Sequence, residues 1–364
     1  MPARLHRPAG LPPARLRRAA GPGGSPARPA ASSDRLHGGP LRRLSRLVVA
    51  AASACTLVGA LVGAALAYPN PGLVTGDVVV HDPTMIRTSS GGYVVYSTHG
   101  YLEARTSTDR ITFTRAGSAF GSPPSWWRTY SSGNDPWAPD ISQQSGRYLM
   151  YYAVSGFGSN FSAIGLATSS TGQPGSWSDQ GVVYSTTTSS DHNAIDPNLL
   201  VDASGRWWLS FGSYWTGIRM IRLDPATGKR LSSDQTLYHL ATRPDAPYAV
   251  EAPDIVRHGG YYYLFASYDR CCAGTSSTYK VKVGRSAAPT GPYVDRSGTS
   301  MLSGGGTMVL ETHGSVIGPG GQSVLSDVDG DLLVYHYYDG NAGGTPKLGI
   351  NLIGWDSAGW PYVY

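Results

Sequence analysis

One phrase returns along this sequence at a nearly constant interval, and that repeat constrains the fold more than any other feature. Residues 138–141 and 252–255 both read Ala-Pro-Asp-Ile. Each copy is followed by a glycine-containing turn and an aromatic run, at 148–152 in the first copy and 261–265 in the second. A unit that recurs in this way indicates a repeat architecture rather than a single continuous sheet.

The spacing of the repeat predicts the fold class. The acids that lead successive units are spaced by 58, 56 and 58 residues along the series Asp82, Asp140, Asp196 and Asp254. Residues 68–364 have room for five such units, each with about four short β-type runs bounded by Gly, Asn, Asp or Ser. We therefore predict an all-β fold, a five-bladed β-propeller with four antiparallel strands per blade. The alternative, a two-sheet sandwich with duplicated hairpins, does not explain the constant interval.

The positive charge of the chain belongs to its N-terminal part. Residues 1–67 contain ten Arg and one Asp, so that of the net charge of +5 the remaining residues 68–364 carry −4. Without a basic stripe in residues 68–364, the main argument for a nucleic-acid partner is removed, and we expect none.

The N-terminal part has the order of a secretory signal. Residues 1–46 are rich in Arg, Pro, Ala and Gly, residues 47–66 are almost wholly apolar or small, and 65–67 read Ala-Leu-Ala. We predict that residues 1–67 are a basic extension with a secretory signal peptide and that 68–364 form the catalytic propeller domain. The protein would then be secreted, extracellular and without stable membrane association after cleavage. The alternative is one transmembrane anchor, because about 20 apolar residues suffice to span a bilayer.

The repeat separates structural acids from candidates for chemistry. Acids next to Pro commonly serve as turn residues. Alignment of the two Ala-Pro-Asp-Ile phrases pairs Asp140 with Asp254, which indicates a structural pair that caps backbone N–H groups. Glu251 aligns with Trp137, so the repeat does not require an acid there. Glu251 is therefore a candidate for chemistry.

Propeller topology is expected to bring three of the acids together. The first strand of each blade lines the central channel, so Asp82, Asp196 and Glu251 should approach one mouth. Neighbouring carboxyl groups ringed by aromatic residues suit glycoside hydrolysis, in which one carboxyl is protonated and another is ionised. Crowded acids shift each other's pKa values, which permits both states at one pH. The sequence shows no nucleophilic Ser elbow, P-loop or dinucleotide fingerprint.

Several motifs resemble those of a known family. They lie at 137–141, 193–198, 211–218, 251–253 and 265–272. They resemble the endo-1,5-α-L-arabinanases of glycoside hydrolase family 43, over essentially the whole chain from Val78 onward. The resemblance implies a monomeric five-bladed propeller that hydrolyses internal α-1,5-L-arabinofuranosidic linkages of arabinan, a plant cell-wall polysaccharide, with inversion at the anomeric carbon.

The resemblance also implies a role for each of the three acids. Asp82 matches the general base, Glu251 the general acid, and Asp196 the residue that orients the general acid and raises its pKa. Inversion requires space for a water molecule, so the carboxyl groups of Asp82 and Glu251 should stand roughly 6.5–9.5 Å apart.

Four further residues match binding positions of the family. Trp137, Asn193 and Ser213 match sugar contacts, although each has a structural alternative: core packing, a turn residue and a strand-end hydroxyl, respectively. His336 matches a histidine that reaches a calcium ion, otherwise bound by water, in the central channel. A lone His on an aromatic strand is ordinarily a core residue, and calcium usually prefers oxygen ligands. No organic cofactor is implied.

Some alternatives stay open at this point. The adjacent Cys271 and Cys272 are equally compatible with a vicinal disulfide and with two buried thiols. The alternative functions are an exo-acting α-L-arabinofuranosidase or β-xylosidase of the same family, and a non-catalytic sugar-binding propeller.

Overall fold

The structure is a computed structural model that describes residues 68–364. The basic extension and signal peptide predicted for residues 1–67 lie outside the described residues. Within the described part nearly every element is a β-strand, and the one α-helix there, Trp127–Tyr130, has four residues. No helix in residues 68–364 has the length and apolar character needed to cross a bilayer.

The strands form five sheets, each continuous in sequence. Blade 1 holds β1 (Thr75–Gly76), β2 (Thr84–Arg87), β3 (Tyr93–Ser97), β4 (Glu103–Ser107) and β5 (Thr112–Ser118). Blade 2 holds β6 (Pro136–Gln144), β7 (Arg147–Val154), β8 (Ala163–Ser169) and β9 (Ser178–Ser185). Blade 3 holds β10 (Asn198–Val201), β11 (Trp207–Phe211), β12 (Ile218–Leu223) and β13 (Tyr238–Ala241). Blade 4 holds β14 (Val250–His258), β15 (Tyr261–Tyr268), β16 (Lys280–Ser286) and β17 (Thr307–Leu310). Blade 5 holds β18 (Val316–Asp327), β19 (Gly330–Asp339), β20 (Thr345–Trp355) and β21 (Pro361–Val363). Short 3₁₀ helices occur at Gly274–Ser276, Met301–Ser303 and Gly340–Ala342.

Every blade is buried on both faces, because each pair of neighbouring blades encloses an apolar core. In β7, Tyr148, Met150 and Tyr152 pack against blade 1, whereas Leu149 and Tyr151 pack against blade 3. Successive side chains of a strand point to opposite faces, so a strand between two cores needs apolar or aromatic side chains at every position. This explains the uninterrupted aromatic runs of the repeat.

The ring closes between blades 5 and 1. Val334 of β19 and Val95 of β3 share a core there, and the chain before β2 crosses the seam, where the Leu348 N–H donates to the Val78 carbonyl at 2.8 Å. The first strands contact one another in the circular order β2, β6, β10, β14, β18 and back to β2. The five-bladed propeller is thus confirmed, and the sandwich is excluded.

The first strands share a backbone feature that the sequence does not display. The backbone φ is positive at one equivalent position of all five blades: Asp82 (47°), Ala138 (42°), Asp196 (54°), Ala252 (50°) and Gly321 (56°). In β6, β14 and β18 the pairing register also shifts next to this position. Such a bulge bends the strand and changes the direction of the neighbouring side chains.

The positive-φ position shows that the four acids spaced along the repeat are not all structurally equivalent. Asp82 and Asp196 occupy the positive-φ position itself, whereas Asp140 and Asp254 lie two residues after it. The acids therefore belong to two structural positions rather than one. The spacing from blade 4 to blade 5 is also longer than the other spacings. Ser323, the blade 5 residue equivalent to Asp254, lies 69 residues after it.

Asp140 and Asp254 join neighbouring blades, as the repeat predicted. The carboxylate of Asp140 accepts the Leu199 N–H at 2.8 Å, and that of Asp254 accepts the Val324 N–H at 3.0 Å. Asn198, in the equivalent position of blade 3, accepts an N–H from β14 at 3.0 Å. These side chains form a belt around the channel that satisfies backbone donors of the next blade.

Candidate active site

Three acids from three blades meet at the mouth of the channel. Asp82 and Asp196 occupy the positive-φ position of blades 1 and 3, two residues before β2 and β10, and Asp tolerates this conformation better than most residues. Glu251 directly precedes the bulge of blade 4, in the position that Trp137 holds in blade 2. The alignment that singled out Glu251 is therefore correct. Asp82 and Glu251 are both close enough to Asp196 for their charges to raise its pKa.

Asp82 is held ionised. Its Oδ2 atom receives hydrogen bonds from Nδ1 of His81 at 2.8 Å and from the Thr98 hydroxyl at 2.7 Å. Burial raises the pKa of Asp82, but the charge of His81 and the hydrogen bonds from His81 and Thr98 outweigh burial, so the pKa lies well below its usual range. Its side chain is 23% exposed, which lets water reach the carboxylate.

The pKa of Glu251 is shifted in the opposite direction to that of Asp82. It is 6% exposed, and burial raises its pKa above the usual value, with a further contribution from the negative charge of Asp82. The Ser213 hydroxyl donates to Oε2 at 2.5 Å, and this bond together with one from Tyr279 offsets part of the shift. Glu251 therefore tends to hold a proton at pH values where Asp82 has none.

Asp196 is close to both other acids. Burial raises its pKa well above the usual range, and the charges of Glu251 and Asp82 raise it further. Its Oδ2 atom accepts the backbone N–H of Ala252 at 3.1 Å, which fixes the segment that carries Glu251. Repulsion between the carboxylates of Asp196 and Glu251 is relieved when one of them binds a proton, so the pair retains a proton that Asp82 lacks.

The three residues predicted to bind sugar differ in their exposure and in their contacts. Trp137 is partly exposed beside the bulge of blade 2. Asn193 is 2% exposed, and its amide is occupied by Ser162, which donates to Oδ1 at 2.7 Å, and by the Ser159 carbonyl, which accepts from Nδ2 at 3.2 Å. Ser213 faces Glu251 rather than open solvent. The contact of all three with sugar stays a prediction.

His336 is fully buried in the channel wall. Its Nδ1 atom accepts the backbone N–H of Asp82 at 3.1 Å, and its ring stacks on that of His81 with centroids 3.8 Å apart. Burial lowers the pKa of His336 well below its usual value, so the ring is neutral. Its Nε2 atom is buried and has no hydrogen-bond partner within residues 68–364. His81, Asp82 and His336 together form a cluster whose ligand atoms lie within 4.8 Å of one another.

Sequence reasoning assigned no role to His81 and missed two further residues that contact Asp82. Thr98 donates to Asp82 and also accepts the Ala138 N–H at 2.9 Å. The hairpin of β2 and β3 could have indicated Thr98, because its pairing places Thr98 opposite Asp82. At Gly321 an added Cβ would lie 2.5 Å from Oδ1 of Asp82, so only glycine allows this approach. Cys271 and Cys272 form a disulfide in the structure, which settles the choice between a bond and two thiols.

This chain is similar to proteins of known activity. Residues 70–361 match the family described as Glycosyl hydrolases family 43. An extracellular endo-α-(1→5)-L-arabinanase of Bacillus subtilis is 47% identical over 290 residues, which cover 78% of this chain and 87% of the relative. The solved structure of a family 43 endo-arabinanase from Bacillus licheniformis superposes with a TM-score of 0.75 at 45% identity, covering 80% of this chain and 99% of that one.

A third similar protein differs in its described mode of action. An exo-1,5-α-L-arabinanase from a bovine ruminal metagenomic library superposes with a TM-score of 0.75 at 37% identity, covering 80% of this chain and 99% of that chain. The match of the family over most of the sequence, the propeller and the three acids at its mouth agree with one another. The chain belongs to glycoside hydrolase family 43.

Proposed function

We propose that this protein is an inverting endo-arabinanase that cleaves internal α-1,5-L-arabinofuranosidic linkages of arabinan. The observation that carries the proposal is the contrast between an ionised Asp82 and the neighbouring pair of Glu251 and Asp196, which retains one proton. That contrast supplies a base and an acid at the same pH. The substrate class rests on the relatives that are named endo-arabinanases.

In the proposed reaction each acid has one task. The Glu251 carboxyl donates its proton to the glycosidic oxygen as the bond from that oxygen to the anomeric carbon breaks. A water molecule attacks the carbon from the opposite face and gives a proton to Asp82. Asp196 keeps Glu251 in place through the Ala252 N–H, and when Asp196 is the ionised member of the pair its charge favours the protonated form of Glu251.

Substitution of the acids tests these roles. Glu251→Gln and Asp82→Asn should each lower kcat on linear arabinan by at least about 1000-fold, because each removes a proton transfer of the reaction. Asp140→Asn is the matched control, since it removes a buried channel acid that only joins blades, and it should keep normal activity. Activity within tenfold of wild type in Glu251→Gln would contradict the assignment. A wild-type protein that binds arabinan without cleaving it would support the non-catalytic alternative.

The exo-acting alternative is carried by the similar structure described as an exo-arabinanase. It uses the same family and the same fold, so the three acids do not decide between the two modes. Only the products do, because exo action releases units from a chain end and endo action yields a mixture of oligomers.

We also propose the calcium ion of the family for this channel, with His336 Nε2 as the protein ligand. The buried, unpaired Nε2 atom fits an ion that is otherwise hydrated. The Asp82 N–H donates to Nδ1, which places the proton of the neutral ring on Nε2. Ligation thus requires the other tautomer, in which Nδ1 carries the proton, the hydrogen bond from the Asp82 N–H is lost, and Nδ1 lies 3.6 Å from Oδ1 of Asp82. A bound cation would add positive charge beside Asp82 and so favour its ionised form.

Metal analysis tests the calcium proposal separately from the acids. Protein treated with a chelator should lose about one calcium ion per chain and part of its kcat, and added calcium should restore both. His336→Ala should contain no calcium before or after the treatment. A wild-type protein that holds no calcium and has full activity after chelation would remove the role.

Export of the mature chain is the remaining proposal. We propose cleavage after Ala67, which leaves Tyr68 as the first residue of a monomeric extracellular enzyme with no stable membrane association. The Bacillus relative described as extracellular supports it. N-terminal sequencing of the exported protein should give Tyr-Pro-Asn, whereas a retained residue 1–67 segment would contradict it.

A further inference from the structure

A chain of hydrogen bonds runs from a surface turn to the carboxylate of Asp82. The Cys272 N–H donates to the Tyr338 hydroxyl oxygen at 2.7 Å, and this hydroxyl lies 2.9 Å from Nε2 of His81. Nδ1 of His81 lies 2.8 Å from Oδ2 of Asp82. Residues from blades 1, 4 and 5 thus form one continuous path.

The donors and acceptors along this path are compatible with one another. The short contact between Nδ1 of His81 and Oδ2 of Asp82 requires a donor, and Nδ1 supplies it. Nε2 accepts the hydroxyl proton of Tyr338 when the ring carries one proton, and it donates to the Tyr338 oxygen when the ring carries two. The Tyr338 oxygen remains free to accept the N–H of Cys272. Every group on the path is satisfied in both cases.

The path decides which oxygen of Asp82 is available. Both donors to the carboxylate, His81 and Thr98, bind Oδ2. Oδ1 has no hydrogen bond to any residue of the described chain 68–364 and lies against Gly321, where a Cβ would collide with it. The carboxylate is therefore fixed by one oxygen, and the other can accept a proton from water.

The turn at the far end is constrained covalently. Cys272 has a φ of 61° and is bonded to Cys271, and the turn is closed by a hydrogen bond from the Thr278 N–H to the Arg270 carbonyl. The disulfide restricts the peptide unit whose N–H contacts Tyr338. This gives the two cysteines a task although they connect no distant segments.

We propose that His81 is a positioning residue for the base Asp82, and that the Cys271–Cys272 turn holds His81 in place through Tyr338. The inference rests on the proposed function, because it assumes that Asp82 accepts a proton from water. Neither His81 nor the turn needs to contact substrate for this role. The expected signature is a fall in kcat with an unchanged KM.

Variants of His81 distinguish positioning from general packing. His81→Leu should lower kcat on debranched arabinan by about 10- to 100-fold, the range for loss of a charge-assisted hydrogen bond. His81→Asn places an amide N–H near the position of Nδ1 and should recover most of the loss. His258→Leu is the matched control, because His258 lies seven residues along β14 from Glu251, about 23 Å away. It should retain the wild-type kcat.

Two further variants test the outer part of the path. Tyr338→Phe removes only the hydroxyl and should lower kcat by about two- to tenfold, as expected for a neutral hydrogen bond. A double variant, Cys271→Ala with Cys272→Ala, should show a similar loss and no response to a phosphine reductant. Wild type should fall to the same kcat when the reductant opens its disulfide.

The outcomes separate this inference from the proposed function. If wild type and His258→Leu release no product, the proposed function fails. If wild type is active but His81→Leu keeps kcat within twofold, or His81→Asn is no better than His81→Leu, the positioning role of His81 is overturned. Full kcat in Tyr338→Phe and in the double cysteine variant would overturn the role of the turn. Thermal unfolding of each variant excludes loss of the fold as the cause, and Tyr338→Phe still tests the path if His81→Leu does not fold.

Discussion

Replacement of Asp140 by Asn should stabilise the protein at neutral pH. Asp140 is a buried member of the belt that joins blades 2 and 3, and burial raises the pKa of its carboxyl to about 6. Blade 3 already carries an amide, Asn198, in the equivalent position. The variant Asp140→Asn therefore introduces a side chain that this ring accommodates elsewhere.

The magnitude follows from proton linkage. The pKa of Asp140 is about 6 in the folded protein and 3.8 as the ordinary value. This difference corresponds to about 3 kcal/mol, at about 1.36 kcal/mol per pH unit. Because the folded-state pKa is the higher one, the contribution is fully present below pH 3.8 and is lost as the pH rises through about 6. An amide does not titrate, so the variant keeps this contribution at pH 7.

One contact reduces the gain. Asn198 Nδ2 donates to Oδ1 of Asp140 at 3.3 Å, and an amide nitrogen at that place would face another donor. Loss of such a hydrogen bond costs about 1 kcal/mol. We therefore expect Asp140→Asn to be about 2 kcal/mol more stable than wild type at pH 7 and equal or slightly less stable at pH 4.

Urea unfolding followed by tryptophan fluorescence at both pH values measures this change. Asp202→Asn is the control of opposite sign. Burial opposes ionisation of Asp202, but donors from Trp208, Arg206 and Ser204 outweigh it and lower the pKa of that carboxyl. Its contribution is present above the ordinary pKa and lost as the pH falls through the folded-state value, so Asp202→Asn should be less stable than wild type at pH 7. An Asp140→Asn variant that is less stable than wild type at pH 7, or a difference that does not change with pH, would refute the reasoning.

Two further predictions concern the mouth of the channel. Ser213→Ala removes a hydrogen bond that lowers the pKa of Glu251. The general acid should then stay protonated up to a higher pH, so the alkaline limb of the kcat/KM profile should move to higher pH. An unmoved limb would contradict the role of Glu251. Gly321→Ala should lower kcat at least tenfold and reduce stability by more than about 1 kcal/mol, because the added Cβ meets Oδ1 of Asp82 at 2.5 Å at a positive φ. Gly205→Ala, at a positive φ with open space around it, should lose stability but keep kcat, and equal kcat losses in both variants would contradict the steric argument.

The fold could be predicted from the sequence because propeller blades leave a periodic trace. The aromatic runs occur where a strand is buried on both faces, and Glu251 was visible because its sister position holds Trp137. The equivalence of Asp82 with Ala138 and Gly321 was not visible. What these residues share is a positive φ, which side chains as different as Asp, Ala and Gly can adopt in a bulge.

The supporting contacts of the site could not be predicted in the same way. His81, Tyr338 and Cys272 meet only because blades 1, 4 and 5 converge on the axis, and nothing local in the sequence links them. The amide of Asn193 likewise binds Ser162 and Ser159 of blade 2, although its motif indicated a sugar contact. Such contacts depend on loop conformations between strands, which the period of the repeat does not determine.

The size distribution of the earliest products from debranched arabinan tests the central claim most directly. Chromatography at low conversion should show a ladder of arabino-oligosaccharides, and nuclear magnetic resonance of the first products should show the inverted anomer. Arabinose as the sole early product would contradict endo action, and a retained anomer would contradict the assignment of Asp82 as a base that activates water.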